Sequence, residues 1–202
     1  HEEDKHEIAD WPTTVQFEYL AHELCEHYAY GKNAVYDKGH HGNALLSKFP
    51  ISFWENINIS TNRLEKRGML HAVIDIEEKD TKLHCLCLHL DLLANGRKKQ
   101  IQKVVERIKS SVPAGEPVIL AGDFNDWQRK VTKTLEEELM IKEAYLIHHG
   151  KHAKTFPSAS PLLTLDRIYF RGIDLKEAID LPISPWKELS DHIALFAIFQ
   201  IN

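Results

Sequence analysis

The sequence predicts a single α/β domain rich in strands, on three observations. Apolar runs of strand length recur from His40 to the C-terminus. Two charged segments between them carry apolar residues at helical spacing, the mark of helices packed on a sheet. Two of the apolar runs also stop abruptly in polar residues, as strands do where a sheet opens onto a site.

In chain order, Trp11-Pro12 closes a polar start, and Thr13 or Thr14 can cap a helix. Phe17, Leu20, Ala21 and Leu24 would form one face of that helix. The segment His40–Pro50 reads as a strand entered through a glycine turn and stopped by Pro50. Two strands follow, around 53–59 and 68–77, and the run Leu83–Leu92 is apolar on both faces, hence a buried central strand. After Asn95-Gly96, residues Ile101, Val104, Val105, Ile108 and Val112 form one stripe of a surface helix. Pro117–Ala121 is a second buried strand ended by Gly122. A charged helix then carries Val131, Leu135 and Leu139, and strand candidates lie near 165–171, 175–180 and 193–199. The chain shows no repeat or linker, so residues 1–202 are expected to form one domain.

Composition narrows the function. The net charge of −5 argues against a protein that coats DNA non-specifically, although Arg97-Lys98-Lys99 is a local basic cluster. No apolar run is long enough to span a bilayer. The three cysteines, Cys25, Cys85 and Cys87, form no CxxC pair and read as structural. Unpaired cysteines and a polar, acidic start without a visible signal predict a cytoplasmic protein.

Five stretches carry side chains suited to chemistry. Gly122-Asp123-Phe124-Asn125 ends a buried strand in Asp-x-Asn, offering a carboxylate for a metal or water and a carboxamide for an oxyanion. Ser190-Asp191-His192 precedes the apolar run IALFAIF, where the histidine can exchange protons and the aspartate can hold a cation. His89 closes Cys87-Leu88-His89. Asp166 enters an apolar strand, where its charge requires a partner such as an imidazole. His41 and Asn43 flank Gly42, where backbone can approach a ligand and Asn43 can donate to phosphate. Each has a bland alternative: an Asx turn, a cap, a satisfied core histidine or a simple salt bridge.

The series GHHGNALLSKFP, LHLD with Arg97 and Gln100 behind it, GDFN, LDRIYF and SDH resembles the endonuclease/exonuclease/phosphatase superfamily, over about residues 16 to 200. The likeness is greatest to small bacterial members. The resemblance implies a four-layer αββα sandwich, a hydrolase of phosphate esters and a Mg2+ cofactor, with Mn2+ as an alternative. It implies that Asp123 orients or deprotonates the attacking water and that Asn125 contacts the phosphate in the transition state. Asp191 is similar to the family's metal-binding aspartate, His192 and His89 to phosphate-contacting histidines, and Asp166 to the acid paired with His192. His41, Asn43 and Arg97 are assigned to substrate binding, and Glu65 to orienting His89. The substrate would be nucleic acid, a phospholipid headgroup or a small phosphodiester, and the protein a monomer.

One departure accompanies the likeness. In the family an upstream strand-helix-strand supplies an Asn and a Glu as principal magnesium ligands, and HEEDKHEIADWPTT contains no buried strand ending in Glu. The domain is therefore expected to be incomplete at its N-terminus. Two rivals follow: a non-catalytic interaction module on the same fold, and a zinc hydrolase built from His40, His41, His89 and His192. Adjacent histidines are a poor chelating pair, which disfavours the second.

Overall fold

The structure, a computed structural model, describes residues 2–3, 16–37, 39–62 and 65–201. Thr13 and Thr14, read as caps, lie outside the described residues. The first elements are β1 (Glu2–Glu3), α1 (Gln16–Leu24), β2 (His27–Tyr36) and β3 (Gly39–Ser47). They form a three-stranded antiparallel sheet, β1-β3-β2, with α1 against β2 and β3. The face expected of α1 is only partly buried among the side chains described. Ala21 is enclosed, but Leu20 and Leu24 are exposed, Leu24 by 63%.

The main sheet begins with the meander β4 (Ile51–Asn58), β5 (Gly68–Ile76) and β6 (Thr81–His89). From β6 the chain crosses through α2 (Ala94–Ser111) to β7 (Val118–Asp123), which lies parallel to β6. This β-α-β unit makes the one parallel pair in the sheet, and it sends His89 and Asp123 to the same end in register. Helix α2 starts before Asn95-Gly96 rather than after it. A Cβ at Gly96 would stand 2.2 Å from the Asp91 carboxylate, so only glycine lets the first turn sit against that side chain.

The sheet is completed by α3 (Lys130–Leu139), β8 (Lys142–Glu143), α4 (Ala144–His149) and β9 (Asp166–Arg171). Its order is β4-β5-β6-β7-β9-β8. A hairpin of β10 (Asp174–Ile179) and β11 (Phe196–Gln200), with the short helical turn α5 (Ile183–Trp186) between them, ends the chain.

Both faces of this sheet are covered, which accounts for the continuous apolar runs of its central strands. On one face Ile101, Val104 and Ile108 of α2 and Val131, Leu135 and Leu139 of α3 pack on Leu86, Leu88, Val118 and Leu120. On the other, Leu45 of β3 meets Ile74, Ile76 and Leu83. There too Ala197 and Phe199 of β11 meet Phe170, Ile168 and Ile119. The layers therefore run helix, six-stranded sheet, second sheet layer, helix: the αββα sandwich. Among the described residues no helix is long and apolar enough to cross a membrane.

The cysteines are free. Burial pushes the thiols of Cys85 and Cys87 up to about 12 and about 11, the behaviour of packing groups rather than nucleophiles.

Candidate active site

Three strand ends and one returning loop meet in a single cluster of side chains. In the β6–β7 ladder His89 is the register partner of Asp123, and in the β7–β9 ladder Asp123 is the partner of Asp166. His192 arrives on the segment leading into β11. That segment is tied down where the Ile193 N–H donates to the Thr155 carbonyl and the Ser158 N–H donates to the Asp191 carbonyl. Ligating atoms of Asp123, Asp166 and His192 all lie within 4.8 Å of one another. Those three residues are thus brought together as the motifs imply, and His89 joins them, its Nε2 lying 3.4 Å from Asp123 Oδ2.

The pairing expected of Asp166 is present. His192 Nδ1 lies 2.7 Å from Asp166 Oδ2, and the Phe156 ring sits against the imidazole with centroids 5.0 Å apart. The hydrogen bond to Asp166 is the main force raising the His192 pKa. Partial burial opposes it, and the charges of Asp166, Asp123 and Asp191 add to it. With Nδ1 committed to the carboxylate, Nε2 is the nitrogen left for a ligand.

The neighbouring histidine behaves oppositely. Burial first, and the positive Arg67 next, push His89 down to about 4, despite the opposing pull of Asp166. The 3.4 Å approach to Asp123 is therefore a contact between a carboxylate and a neutral imidazole. Asp123 is itself pushed above the usual carboxylate range, by burial and then by the like charge of Asp166. The Asn125 N–H, His192 and Arg67 act in the other direction. A carboxylate so placed has raised basicity, as a group that takes a proton from water requires.

Asn125 stands at φ 47°, its N–H 2.8 Å from Asp123 Oδ1, and its side-chain amide donates to the Leu90 carbonyl at 2.9 Å. One amide hydrogen is thus spent on joining the loops after β6 and β7. Beneath the site lies the fully buried Arg167, which the sequence did not single out. Its guanidinium donates to the Thr164 and Asp166 carbonyls, to Thr164 Oγ1 and to the Asp126 carbonyl, fixing the entry to β9 against the loop after β7.

Four assignments are corrected or narrowed. Arg97 is 4% exposed, donates to the carbonyls of Asp91 and Leu92, and has the Trp127 ring over its guanidinium at 5.3 Å. It braces two loops, and its hydrogen-bond partners are backbone carbonyls. Asn43 is buried and donates to the Gly68 and Cys87 carbonyls at 2.9 and 3.1 Å, so it pins β3 onto β5 and β6 instead of facing a ligand. Asp191 is exposed and falls outside the cluster of ligating atoms, acting on His192 only through its charge. Glu65 lies against Arg67, at 3.6 Å, and not against His89.

His41 stacks on Tyr36 and shares a 3.0 Å hydrogen bond with its hydroxyl. Its pKa is lowered by burial and by positive neighbours that include Arg67. His40 bonds Tyr30 instead. The four histidines of the zinc alternative do not converge among the described residues. The single candidate metal cluster there holds two carboxylates and one imidazole.

Comparison with known proteins bears on the fold and the family. The chain is 41% identical over 197 residues to the uncharacterized protein YbhP of Escherichia coli K12, covering 98% of this chain and 78% of that one. Among solved structures, an endonuclease/exonuclease/phosphatase protein from Beutenbergia cavernae superposes with a TM-score of 0.75 at 17% identity, over 91% of this chain and 56% of that one. The human Nocturnin catalytic domain, solved with a bound sulfate anion, superposes with a TM-score of 0.74 at 17% identity, over 92% and 76%. At such identities these two structures speak to the fold alone. The family profile matches residues 5–192, nearly the whole chain, and so the protein belongs to the endonuclease/exonuclease/phosphatase family.

Proposed function

We propose that this protein hydrolyses a phosphate ester, with Asp123 as the group that orients and deprotonates the attacking water. The single observation that carries the reading is the convergence of Asp123, Asp166 and His192 from three separate segments into one cluster, with His89 at its edge. Family membership supports the reaction class, since the family is one of nucleases and phosphatases.

The cluster fits a divalent cation. Ligating oxygens of Asp123 and Asp166 lie within 4.8 Å of each other, and a hard cation beside them would offset their like charge. Mg2+, which keeps several waters and takes one or two carboxylates, suits this donor set, as does Mn2+. Asp166, through its second oxygen, and the exposed Asp191 at the rim would hold it, which leaves Asp123 to the water. The ion, when bound, would neutralise charge on the phosphoryl oxygens and the leaving group.

The chain's own residues divide the remaining work. Asp166 favours the protonated form of His192, whose Nε2–H can then donate to the developing negative charge. His89, neutral at physiological pH, donates without adding charge, and the free amide hydrogen of Asn125 faces the same task. Substrate classes consistent with the acidic balance are small phosphodiesters, phospholipid headgroups and RNA, with long DNA disfavoured. The test is hydrolysis of bis-p-nitrophenyl phosphate in Mg2+, before and after chelation, by wild type and His192→Ala. Loss of a single oxyanion donor should lower the rate by roughly 100- to 1000-fold. Equal turnover in the two proteins would remove the mechanism.

A further inference from the structure

A second chain of titratable side chains crosses the sheet away from the candidate active site. It runs from β4 through α2, β5 and β6 to the turn before β7. Arg107 of α2 pairs with Glu55 of β4 at 2.8 Å, and its Nε donates to Nδ1 of His71 on β5 at 2.9 Å. His71 Nε2 lies 2.9 Å from Nδ1 of His84 on β6, and His84 Nε2 meets the Glu116 carboxylate. His71 and His84 are 1% and 4% exposed, whereas both terminal carboxylates reach solvent. The hydrolytic reading uses none of these groups.

The bonds fix the place of every ring proton. A guanidinium only donates, so His71 Nδ1 accepts and the ring's proton sits on Nε2. That N–H donates to His84 Nδ1, which must be bare, so the His84 proton sits on Nε2 and points at Glu116. Each ring holds one proton, and no site remains for a third. A proton on His71 Nδ1 would oppose the Arg107 N–H, and one on His84 Nδ1 would oppose the N–H of His71. The charged groups facing His71 are Arg107 from α2 and His84 from β6. From β4 comes the Phe53 ring, edge-on at 6.4 Å between centroids, while Glu55 is turned to Arg107. No carboxylate among the described residues bonds to His71 to welcome a further proton. Burial first, and the charge of Arg107 next, accordingly push His71 down to about 4.

We propose that the His71–His84 pair is an acid-operated latch: a third proton, taken from solvent onto His71 Nδ1, breaks the bond to Arg107 and releases α2 from β5. The consequence reaches the catalytic end of the sheet, because α2 is the crossover of the β6–α2–β7 unit that sets His89 beside Asp123. Opened, His71 takes up a proton near its ordinary 6.5; closed, only near 4. The closed form is therefore fully favoured above pH 6.5 and loses ground as pH falls through that window.

The test has two arms on the whole protein. Two-bond nitrogen NMR of the imidazoles at pH 7.5 should show His71 and His84 each protonated at Nε2 and bare at Nδ1. Amide hydrogen exchange, corrected for intrinsic rates, is then followed in β5 and α2 between pH 7.5 and pH 5. Protection around His71 and Arg107 should fall roughly 30-fold in wild type, the ratio implied by 6.5 against about 4. In His71→Leu that pH response should be lost, whatever the variant's overall stability. A His71 proton on Nδ1 at pH 7.5, protection in wild type that is flat down to pH 5, or the same pH response in His71→Leu would each overturn the proposal. If His71→Leu does not fold, the wild-type tautomers and pH profile still decide it.

Discussion

Replacing Asp166 by Asn isolates what the carboxylate does for His192. The side chain keeps its size and an oxygen that can accept from Nδ1 at the present 2.7 Å, but the negative charge is gone. A hydrogen bond to a charged group contributes about 1.5–3 kcal/mol. Here both side chains are about a quarter exposed, so solvent screening brings the loss below that range, to about 1 kcal/mol. Because the hydrogen bond with Asp166 is the largest cause of the raised His192 pKa, the variant's pKa should fall. The sign follows from linkage. A histidine whose folded pKa is raised adds stability that is fully present below its unfolded pKa, near 6.5, and lost as pH rises through the folded value. Wild type should therefore be more stable than Asp166→Asn in urea at pH 6, and the gap should close in the alkaline direction. If protonated His192 donates to the transition state, the alkaline limb of kcat/KM should also move to lower pH in the variant. The assays are bis-p-nitrophenyl phosphate hydrolysis across pH and NMR titration of the His192 ring. An alkaline limb and a His192 titration both unchanged in Asp166→Asn would refute the argument.

Other outcomes follow from the same geometry. Asp123→Asn should lower kcat by about 1000-fold or more at unchanged thermal stability, since it removes the proposed base; a tenfold loss would reassign that role. Acidification to about pH 5 should reveal no kinetic limb from His89, because its pKa lies near 4, and NMR titration of that ring checks this directly. Asn43→Ala removes two hydrogen bonds between the sheet layers, so urea denaturation should show a loss of about 1–3 kcal/mol. Arg97→Met should reduce stability in the same assay through the freed Asp91 and Leu92 carbonyls and the lost Trp127 contact, while phosphate affinity stays the same.

What the sequence reveals of this molecule divides along a physical line. Strands covered on both faces are legible because they read as apolar runs, and β6, β7 and β9 were found with their polar ends. Those ends are the source of His89, Asp123 and Asp166. Strand β2 escaped notice, since Tyr28, Lys32 and Asn33 interrupt the alternation and half of the strand faces solvent. Which way a polar side chain turns also depends on register that no local pattern carries. Arg97 looked like a surface cation and Asn43 like a ligand, yet burial turns the first onto backbone carbonyls and the second onto two neighbouring strands. Arg167 shows the reverse: an arginine next to Asp166 becomes significant only once folding closes its guanidinium onto the Thr164, Asp166 and Asp126 carbonyls.

The pocket is assembled across the seam of the sandwich. Asp123 and Asp166 belong to the six-stranded sheet, whereas His192 and His41 come from the opposing layer, and near His192 packed side chains such as Ile119, Ile168 and Phe199 set the spacing between the layers. A shift of 1 Å in that spacing would part His192 from Asp166 while every backbone ladder survived. Truncating one of these buried side chains should therefore produce a protein that melts cooperatively, keeps its circular dichroism and has lost its ion pair. In this architecture, distance from the pocket is no measure of a residue's hold over it.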